Sequence, residues 1–254
     1  MNARFQDMIL LYIVLTGLCI ASFIGSLAFR VPRGISILHP PSFCPACGNR
    51  IKPYDLVPVI SYLLLKGRCR ECGSRIPLRF LLLEIGVPLI YAAIYYRVGL
   101  SITFYTRCYL MTLLVYLALI DIDTGEIGIW DIIPVYLGGI AILIFSSLGM
   151  LPFGILHYLS GSFAASALLA AGFSITYLLK RRIPLGKGDL FLVPGVSLYF
   201  GLIEAIRVMM FSSVTGTLFG LVWIMKGRVE KHSGIPLLPF LAAGVMIEIF
   251  LFSC

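Results

Sequence analysis

Residues 8–29 read MILLYIVLTGLCIASFIGSLAF, and none of these residues carries a charge. A helix needs about 20 consecutive apolar residues to cross the hydrocarbon core of a bilayer. No small-residue cleavage site follows the stretch, so we interpret it as a retained membrane helix rather than a signal peptide. This stretch therefore places the chain among membrane proteins.

The composition of the whole chain agrees with that class. Of the 254 residues, 59% are hydrophobic and 13% are charged, whereas about 25% charged residues are usual in soluble domains. The sixth and seventh apolar stretches are nearly continuous, and Glu204 and Arg207 mark the predicted break between them. The sequence therefore predicts an all-α polytopic membrane protein with about eight transmembrane helices. The predicted spans lie at 8–29, 80–97, 102–121, 129–149, 156–179, 190–206, 208–225 and 235–253.

The distribution of basic residues predicts the orientation of the chain. Lysine and arginine number 20 against 12 acidic residues, for a net charge of +8. Most of the cations fall in three loops, at 30–79, 180–188 and 226–232, and positively charged loops usually face the cytoplasm. Both termini are then expected outside. The basic loops lack the interleaved aromatic residues of a nucleic-acid interface, so no nucleic-acid partner is expected.

The loop at 30–79 contains four of the seven cysteines. The pairs Cys44-x-x-Cys47 and Cys69-x-x-Cys72 are separated by residues 48–68, and this spacing is typical of a tetrahedral zinc site. Four thiolates leave no position for water, which favours a structural metal over a catalytic one. A redox role for the C-x-x-C pairs is the alternative, although a cytoplasmic location disfavours disulfides. The loop is therefore predicted to be a small zinc-bound cytoplasmic domain.

A second segment of the same loop has two possible conformations. Residues 56–67 read LVPVISYLLLKG. They predict either a short amphipathic helix lying against the membrane or a pair of strands, and length does not decide between the two.

Three aspartates stand at the predicted cytoplasmic ends of two spans. Asp121 and Asp123 close the third span in YLALIDIDTGEI, and Asp189 opens the sixth in GKGDLF. Asp189 could simply cap its helix, but Gly186 and Gly188 also allow a close approach of the backbone, which a cap does not need. Two carboxylates that share one proton can act as base and acid in peptide hydrolysis. The pattern therefore indicates an aspartic protease.

No other catalytic set competes with the aspartates. The three histidines, His39, His157 and His232, are not placed with a serine or cysteine nucleophile, and the chain has no phosphate-binding loop of the G-x-x-x-x-G-K-[ST] type.

These features together resemble the type IV prepilin peptidases, membrane aspartic proteases that share a G-x-G-D motif with the presenilins. The resemblance implies that Asp121 and Asp189 form the catalytic dyad, with Asp123 in a supporting role and Glu84 at the family's matching acidic position. It covers nearly the whole chain. The similar segments are SFIGSLAFRVP at 22–32, CPACGNRIKPYDLVPVISYLLLKGRCREC at 44–72, RIPLRFLLLE at 75–84, LIDIDTGEI at 119–127 and GKGDL at 186–190.

The resemblance also implies a function. Members of this family remove the short basic leader of prepilins and pseudopilins at the cytoplasmic face of the bacterial inner membrane. Many then methylate the new N-terminus with S-adenosylmethionine. The expected partners are prepilin or pseudopilin substrates and the lipid bilayer. The expected domains are a first helix at 1–29, the zinc loop at 30–79 and a protease core at 80–254.

The chain departs from the family pattern at several positions that bear on substrate binding and methylation. Gly25 replaces an asparagine, Asp55-Leu56 replaces Asp-Asn, and Phe191 replaces a lysine after the G-x-G-D motif. Ile127-Gly128-Ile129 replaces a proline-containing turn, with Asp131 two positions later. The alternatives are a peptidase without methylation, a non-catalytic scaffold whose zinc loop binds an assembly partner, and a transporter, for which no paired interrupted helices are found.

Overall fold

A computed structural model describes residues 3–125, 127–180, 187–226 and 236–252, and this part of the chain is helical apart from turns and two isolated β-bridges. The all-α fold expected from the sequence is confirmed. The described helices are α1 (Ala3–Arg30), α2 (Ile60–Leu64), α3 (Leu78–Val98), α4 (Ile102–Thr124), α5 (Ile129–Ser147), α6 (Ile155–Lys180), α7 (Lys187–Ser197), α8 (Leu202–Met225) and α9 (Leu238–Leu251).

Helices occupy all eight predicted span positions, but they differ in length. Six of the described helices are long and apolar enough to cross a membrane, namely α1, α3, α4, α5, α6 and α8. Helix α7 has 11 residues and α9 has 14. At about 1.5 Å per residue they measure about 16 and 21 Å, against about 30 Å for the hydrocarbon core. The chain is therefore a multi-pass membrane protein, and in the described residues α7 and α9 are too short to span alone.

The break between α7 and α8 lies earlier than the sequence predicted. Helix α7 ends at Ser197 and α8 begins at Leu202, so the expected boundaries at 206 and 208 are wrong. The turn between them packs against α6 at Gly161, whose missing side chain leaves room for the carbonyls of Ser197 and Phe200. The Glu204 carboxylate accepts a hydrogen bond from the Gly201 amide at 2.6 Å. Glu204 therefore caps the start of α8 rather than interrupting a helix.

The chain divides into two compact units, Met1–Tyr96 and Arg97–Cys254. In the first unit α1 packs closely against α3. A methyl group added at Gly17 would lie 2.8 Å from the Cα of Pro88, and one added at Gly25 would lie 3.2 Å from the ring of Phe80. Glycine at these positions allows the two helices to approach closely. The predicted domain limits at 29/30 and 79/80 fall within this unit and stay a prediction.

In the second unit the six helices form a closed ring. The main contacts follow the order α4, α5, α7, α6, α8, α9 and back to α4, and a smaller contact joins α5 to α6. The C-terminus of α4 and the N-termini of α5, α7 and α9 share one end of the ring, which we call the aspartate end because Asp121 lies there. The opposite end contains Arg207 and is called the arginine end. The ring therefore brings the starts of α7 and α9, which are distant in sequence, to the turn that joins α4 to α5.

The helices of this ring begin and end at residues suited to capping. The Ser101 hydroxyl accepts from the Phe104 amide at 3.2 Å and caps α4, as expected for serine at an N-cap. Gly125 ends α4 with φ of 68°, a left-handed conformation that favours glycine. The Asp131 carboxylate accepts from the Gly128 amide at 3.1 Å at the start of α5. The chain therefore turns sharply immediately after Asp121.

Candidate metal centre and candidate active site

Two similar knuckles hold the four cysteines of the loop. Their sequences, CPACGNR at 44–50 and CRECGSR at 69–75, share the pattern C-x-x-C-G-x-R. In each, the glycine has a positive φ, and its amide donates to the carbonyl of the first cysteine, at 2.8 Å for Gly48 and 3.0 Å for Gly73. An isolated β-bridge closes each knuckle, Phe43 with Arg50 and Arg68 with Arg75. This local repeat was missed in the sequence, although the shared pattern could have revealed it.

The sulfur atoms of the cysteines converge on one point. All four Sγ atoms lie within 4.8 Å of one another, and those of Cys44 and Cys72 are 3.9 Å apart. A tetrahedral zinc with bonds of about 2.3 Å separates its sulfur ligands by about 3.8 Å. The cluster therefore has the size and the donor set that zinc requires.

The protonation of the thiols agrees with a metal centre. The hydrogen bond with Ser74 lowers the pKa of Cys44 to about 6. The Asn49 amide acts to lower the pKa of Cys47, but desolvation and the neighbouring cysteines outweigh it and raise that pKa to about 11. Four thiols in contact cannot all ionise without a cation. A divalent ion would remove this repulsion and hold all four as thiolates.

An ion pair joins the second knuckle to the segment before α2. Arg70 donates two hydrogen bonds to the Asp55 carboxylate, at 2.8 and 2.6 Å, and its guanidinium lies 5.4 Å from the centre of the Tyr54 ring. The hydrogen bond from Arg70 lowers the pKa of Asp55 below its usual value. Asp55 is thus a structural residue of the loop.

Asp121 lies buried in the last turn of α4 and is only 8% exposed. Its Oδ2 accepts a hydrogen bond of 3.1 Å from the amide of Leu238, the first residue of α9, and the amide of Leu237 is also within range. A helix N-terminus stabilises a negative charge through its free amides. The contribution of α9 was missed in the sequence because backbone amides leave no mark on residue identity.

The start of α7 lies beside the turn that follows Asp121. A methyl group added at Gly188 would lie 3.2 Å from the Cβ of Ile127 and 3.4 Å from its carbonyl oxygen. The backbone of Asp189 belongs to this first turn of α7. The structure does not describe the side chain of Asp189, and Gly186 lies outside the described residues. The assignment of Asp121 and Asp189 as a dyad therefore stays a prediction.

Asp123, the other acidic residue of the third span, is exposed at the aspartate end of α4. Asp121 and Asp123 therefore differ in burial although only one residue separates them. The supporting role expected of Asp123 is not tested by this placement.

Glu84 lies in the other unit, in the second turn of α3, where it binds the loop. Its Oε2 accepts from the Val59 amide at 2.6 Å, and the Ser22 hydroxyl on α1 also hydrogen-bonds it. Val59 has φ 63° and ψ −53°, and the Ile60 amide bonds to the Pro58 carbonyl at 2.6 Å. This γ-turn is rare and strained, at a cost of about 1–3 kcal/mol. Glu84 therefore holds a strained turn in place.

The arginine end of the ring contains a second group of charged residues. Arg207 makes two hydrogen bonds to the fully buried Glu248, at 2.8 and 2.6 Å, and His157 lies 3.4 Å from Glu204. Sequence reasoning used Glu204 and Arg207 only as markers of a break. Charged residues inside apolar spans are costly unless paired, and that signal could have predicted this cluster.

Comparison with known proteins gives matches over most of the chain. Residues 15–98 match the family model of the bacterial peptidase A24 N-terminal domain. The prepilin leader peptidase/N-methyltransferase of Myxococcus xanthus is 28% identical over 87% of this chain, and the alignment spans 65% of that protein, slightly less than two thirds of its length. That of Bacillus subtilis is 29% identical over 91% of this chain and 90% of its own length. That of Burkholderia pseudomallei is 27% identical over 87% of this chain and 70% of its own length.

No solved structure matches the chain. The relatives confirm the resemblance that the cysteine loop and the aspartate motifs indicated. The chain thus matches the bacterial peptidase A24 N-terminal domain at residues 15–98 and is similar to the prepilin leader peptidase/N-methyltransferases over most of its length.

Proposed function

We propose that this protein is a membrane aspartic endopeptidase that removes the short basic leader of type IV prepilins and pseudopilins. The placement of Asp121 supports this most directly. Its carboxylate is buried at the aspartate end, where Gly188, the residue before Asp189 in the first turn of α7, lies against Ile127. The described contacts of this carboxylate are with backbone amides at the start of α9 and not with a cation. The names of the relatives in Myxococcus xanthus and Bacillus subtilis agree with the proposal.

The proposed chemistry uses the two aspartates in different protonation states. One carboxylate takes a proton from water, and the other donates a proton to the oxygen of the peptide carbonyl as the water attacks. Burial in a low-dielectric site makes it costly for both to be ionised, so the pair retains one proton. The amide of Leu238 orients Asp121 by holding one of its oxygens.

Zinc is proposed as a structural cofactor held by Cys44, Cys47, Cys69 and Cys72. When bound, the ion would join the two knuckles into one unit, and a loop too small to build a core would depend on it. Substitution Cys44→Ser is expected to lower both the zinc content and the amount of folded protein in the membrane. Full zinc content and full abundance of this variant would contradict the proposal.

Methylation of the new N-terminus is proposed as the second activity, with S-adenosylmethionine as methyl donor. The names of the relatives include an N-methyltransferase. The departures from the family pattern at Ile127 and Phe191 lie next to the aspartate end, because Gly188 contacts Ile127 and Tyr136 donates to the Phe191 carbonyl at 2.7 Å. A peptidase that has lost methylation is therefore the second candidate.

The proposed location is the bacterial inner membrane, with both termini outside and the aspartate end at the cytoplasmic face. The basic loops described above support this orientation. Labelling of an introduced cysteine with an impermeant reagent on intact cells tests it, in a background where Cys254, at the terminus expected outside, is changed to serine. A cysteine before α4 should react and one in the loop at 30–79 should not.

Mass spectrometry of a prepilin incubated with membranes and S-adenosylmethionine tests the proposed function. The wild-type protein should remove the leader, and Asp121→Asn and Asp189→Asn should both abolish removal. The mass of the product shows whether a methyl group was added, which separates the two candidates. Absence of cleavage by wild type across several pilin-like substrates would favour the scaffold, and cleavage by either variant would exclude that aspartate.

A further inference from the structure

The segment around α2 exposes an apolar surface although it lies outside the candidate membrane spans. Ile60, Leu63 and Leu64 are 57%, 62% and 76% exposed, and these three residues lie within one short helix. Leu56 and Val57, just before it, are also exposed. Exposed apolar residues that cluster in this way usually mark a contact with a membrane or with another molecule.

The contact between Glu84 and Val59 fixes the depth of this surface. Leu78 is the first residue of α3, a candidate span, and Glu84 lies six residues further on, about 9 Å along the helix axis. The Val59 amide bonds to Glu84 at 2.6 Å, and Ile60 is the first residue of α2. Helix α2 therefore begins beside the second turn of a candidate membrane helix, about 9 Å past its first residue, and not in bulk water.

Cations flank the apolar surface on the side of the span. An open groove of about 560 Å³ is lined by Tyr62, Lys66, Arg68, Arg75 and Leu78. The three cations are exposed, and in the described part of the chain they are assigned no ion pair with a carboxylate. The groove ends at Leu78, where α3 enters the predicted bilayer. It therefore lies at the height of the lipid headgroups.

We propose that the α2 surface, defined as Ile60, Leu63, Leu64, Lys66, Arg68 and Arg75, lies on an anionic phospholipid bilayer. The three apolar side chains contact the acyl chains, and the three cations contact headgroup phosphates. The strained turn at Val59 tilts α2 towards the bilayer, and Glu84 acts as the residue that holds this position. This inference rests on the membrane helices and not on the proposed peptidase function.

Lipid fits the surface better than a protein partner for two reasons. The surface combines exposed leucines with exposed lysine and arginine, which is the composition of segments that bind anionic membranes. Its depth, set by Glu84, leaves it surrounded by lipid whether or not a substrate is present. A prepilin would instead be expected to cover the surface only during turnover.

Fluorescence of a tryptophan placed on α2 tests the proposal in the full-length protein. The native Trp130 and Trp223 are changed to phenylalanine, and Leu64→Trp supplies the reporter. Glu71→Trp, in the exposed second knuckle, is the matched control. The protein is reconstituted in vesicles of phosphatidylcholine with and without phosphatidylglycerol. Lipids brominated on the acyl chain and water-soluble acrylamide then serve as quenchers.

The reporter at position 64 should be quenched several-fold more by brominated lipid than the control, and several-fold less by acrylamide. Phosphatidylglycerol should increase this difference, and the combined change Lys66→Gln, Arg68→Gln and Arg75→Gln should remove that increase. Glu84→Gln should weaken quenching by brominated lipid because the turn at Val59 is released. Ile60→Trp provides a second reporter on the same face if Leu64→Trp does not fold.

Two results would overturn the proposal. Equal access of acrylamide to the reporter and the control, in both lipid mixtures, would place α2 in water. Protection of the reporter that develops only after a prepilin is added would assign the surface to the substrate. Both quenching measurements are independent of cleavage. The lipid proposal can therefore fail while the proposed peptidase function holds, and the peptidase function can fail while the lipid proposal holds.

Discussion

A buried carboxylate lies at each end of α9, and the two carboxylates have different hydrogen-bond partners. At the N-terminus, the Leu238 amide donates to Asp121. At the C-terminal end, Glu248 is fully buried and receives two hydrogen bonds from Arg207. Glu248 is neutralised by a fixed cation, whereas the described contacts of Asp121 are with peptide amides. The difference indicates that Glu248 stabilises the ring and that Asp121 remains able to exchange a proton.

The largest expected effect tests Asp121, the acid that accepts a hydrogen bond from the first amide of α9. Asp121→Asn should reduce leader cleavage by about 10³-fold or more, because it removes a group that must gain or lose a proton. Thermal stability should be unchanged, since the asparagine oxygen still accepts from Leu238. Mass spectrometry of the prepilin and a melting curve measure the two quantities. Asp123→Asn is the matched control and should retain most of the activity.

The second effect concerns Glu248, near the C-terminus of α9. Glu248→Gln should lower stability by about 3 kcal/mol, because removing one partner of a buried ion pair leaves the other uncompensated. The folded fraction should still cleave prepilin. Melting in detergent measures the loss, and adding Arg207→Gln should restore part of it. If Glu248→Gln abolished cleavage and left the melting temperature unchanged, Glu248 would be the acid needed for cleavage rather than for stability.

A third effect probes how closely α7 must approach the aspartate end. Gly188→Ala adds a methyl group 3.2 Å from the Cβ of Ile127, so the first turn of α7 must move by a few tenths of an ångström. We expect cleavage to fall about 10-fold, since small displacements of reacting groups are costly. Stability should not fall, because alanine favours helix. Gly172→Ala, where the added methyl meets no described atom within 4 Å, should leave cleavage unchanged.

The smallest effect concerns a paired acid outside the membrane helices. The pKa of Asp55 is lowered by Arg70, so the pair stabilises the loop above the usual aspartate pKa of about 3.9. That contribution is lost as the pH falls through the lower pKa of the folded state. Limited proteolysis of the loop should show Asp55→Asn less resistant than wild type at neutral pH. The difference should shrink below about pH 4, and a difference that grows in acid would contradict the assignment.

The sequence predicted those parts of the structure that depend on residue type. Uncharged stretches predicted the membrane helices, and the spacing of Cys44, Cys47, Cys69 and Cys72 predicted a cluster whose sulfur atoms the fold brings within 4.8 Å. Both signals are local. The zinc itself stays a proposal because four thiols indicate the site and not its occupant.

The features that the sequence did not predict depend on packing between segments that are distant in the chain. The early end of α7 follows from its contact with Gly161 on α6, which no local pattern reveals. The hydrogen bond from Leu238 to Asp121 uses a backbone amide, and every residue except proline has one. The strained turn at Val59 exists because Glu84 holds it from another helix. The pairing of Asp121 with Asp189 was predicted from motifs alone and awaits the variants described above.

The closure of the helix ring has a consequence for biosynthesis. The amide that holds Asp121 belongs to Leu238, which lies 117 residues later in the chain. A ribosome working at about 5–20 residues per second needs about 6–23 s to make that interval. Both aspartates of the proposed dyad are present once residue 189 has been made, but α9 is then still absent and its first amide cannot yet hold the Asp121 carboxylate. The proposed active site can therefore be complete only after α9 has been inserted.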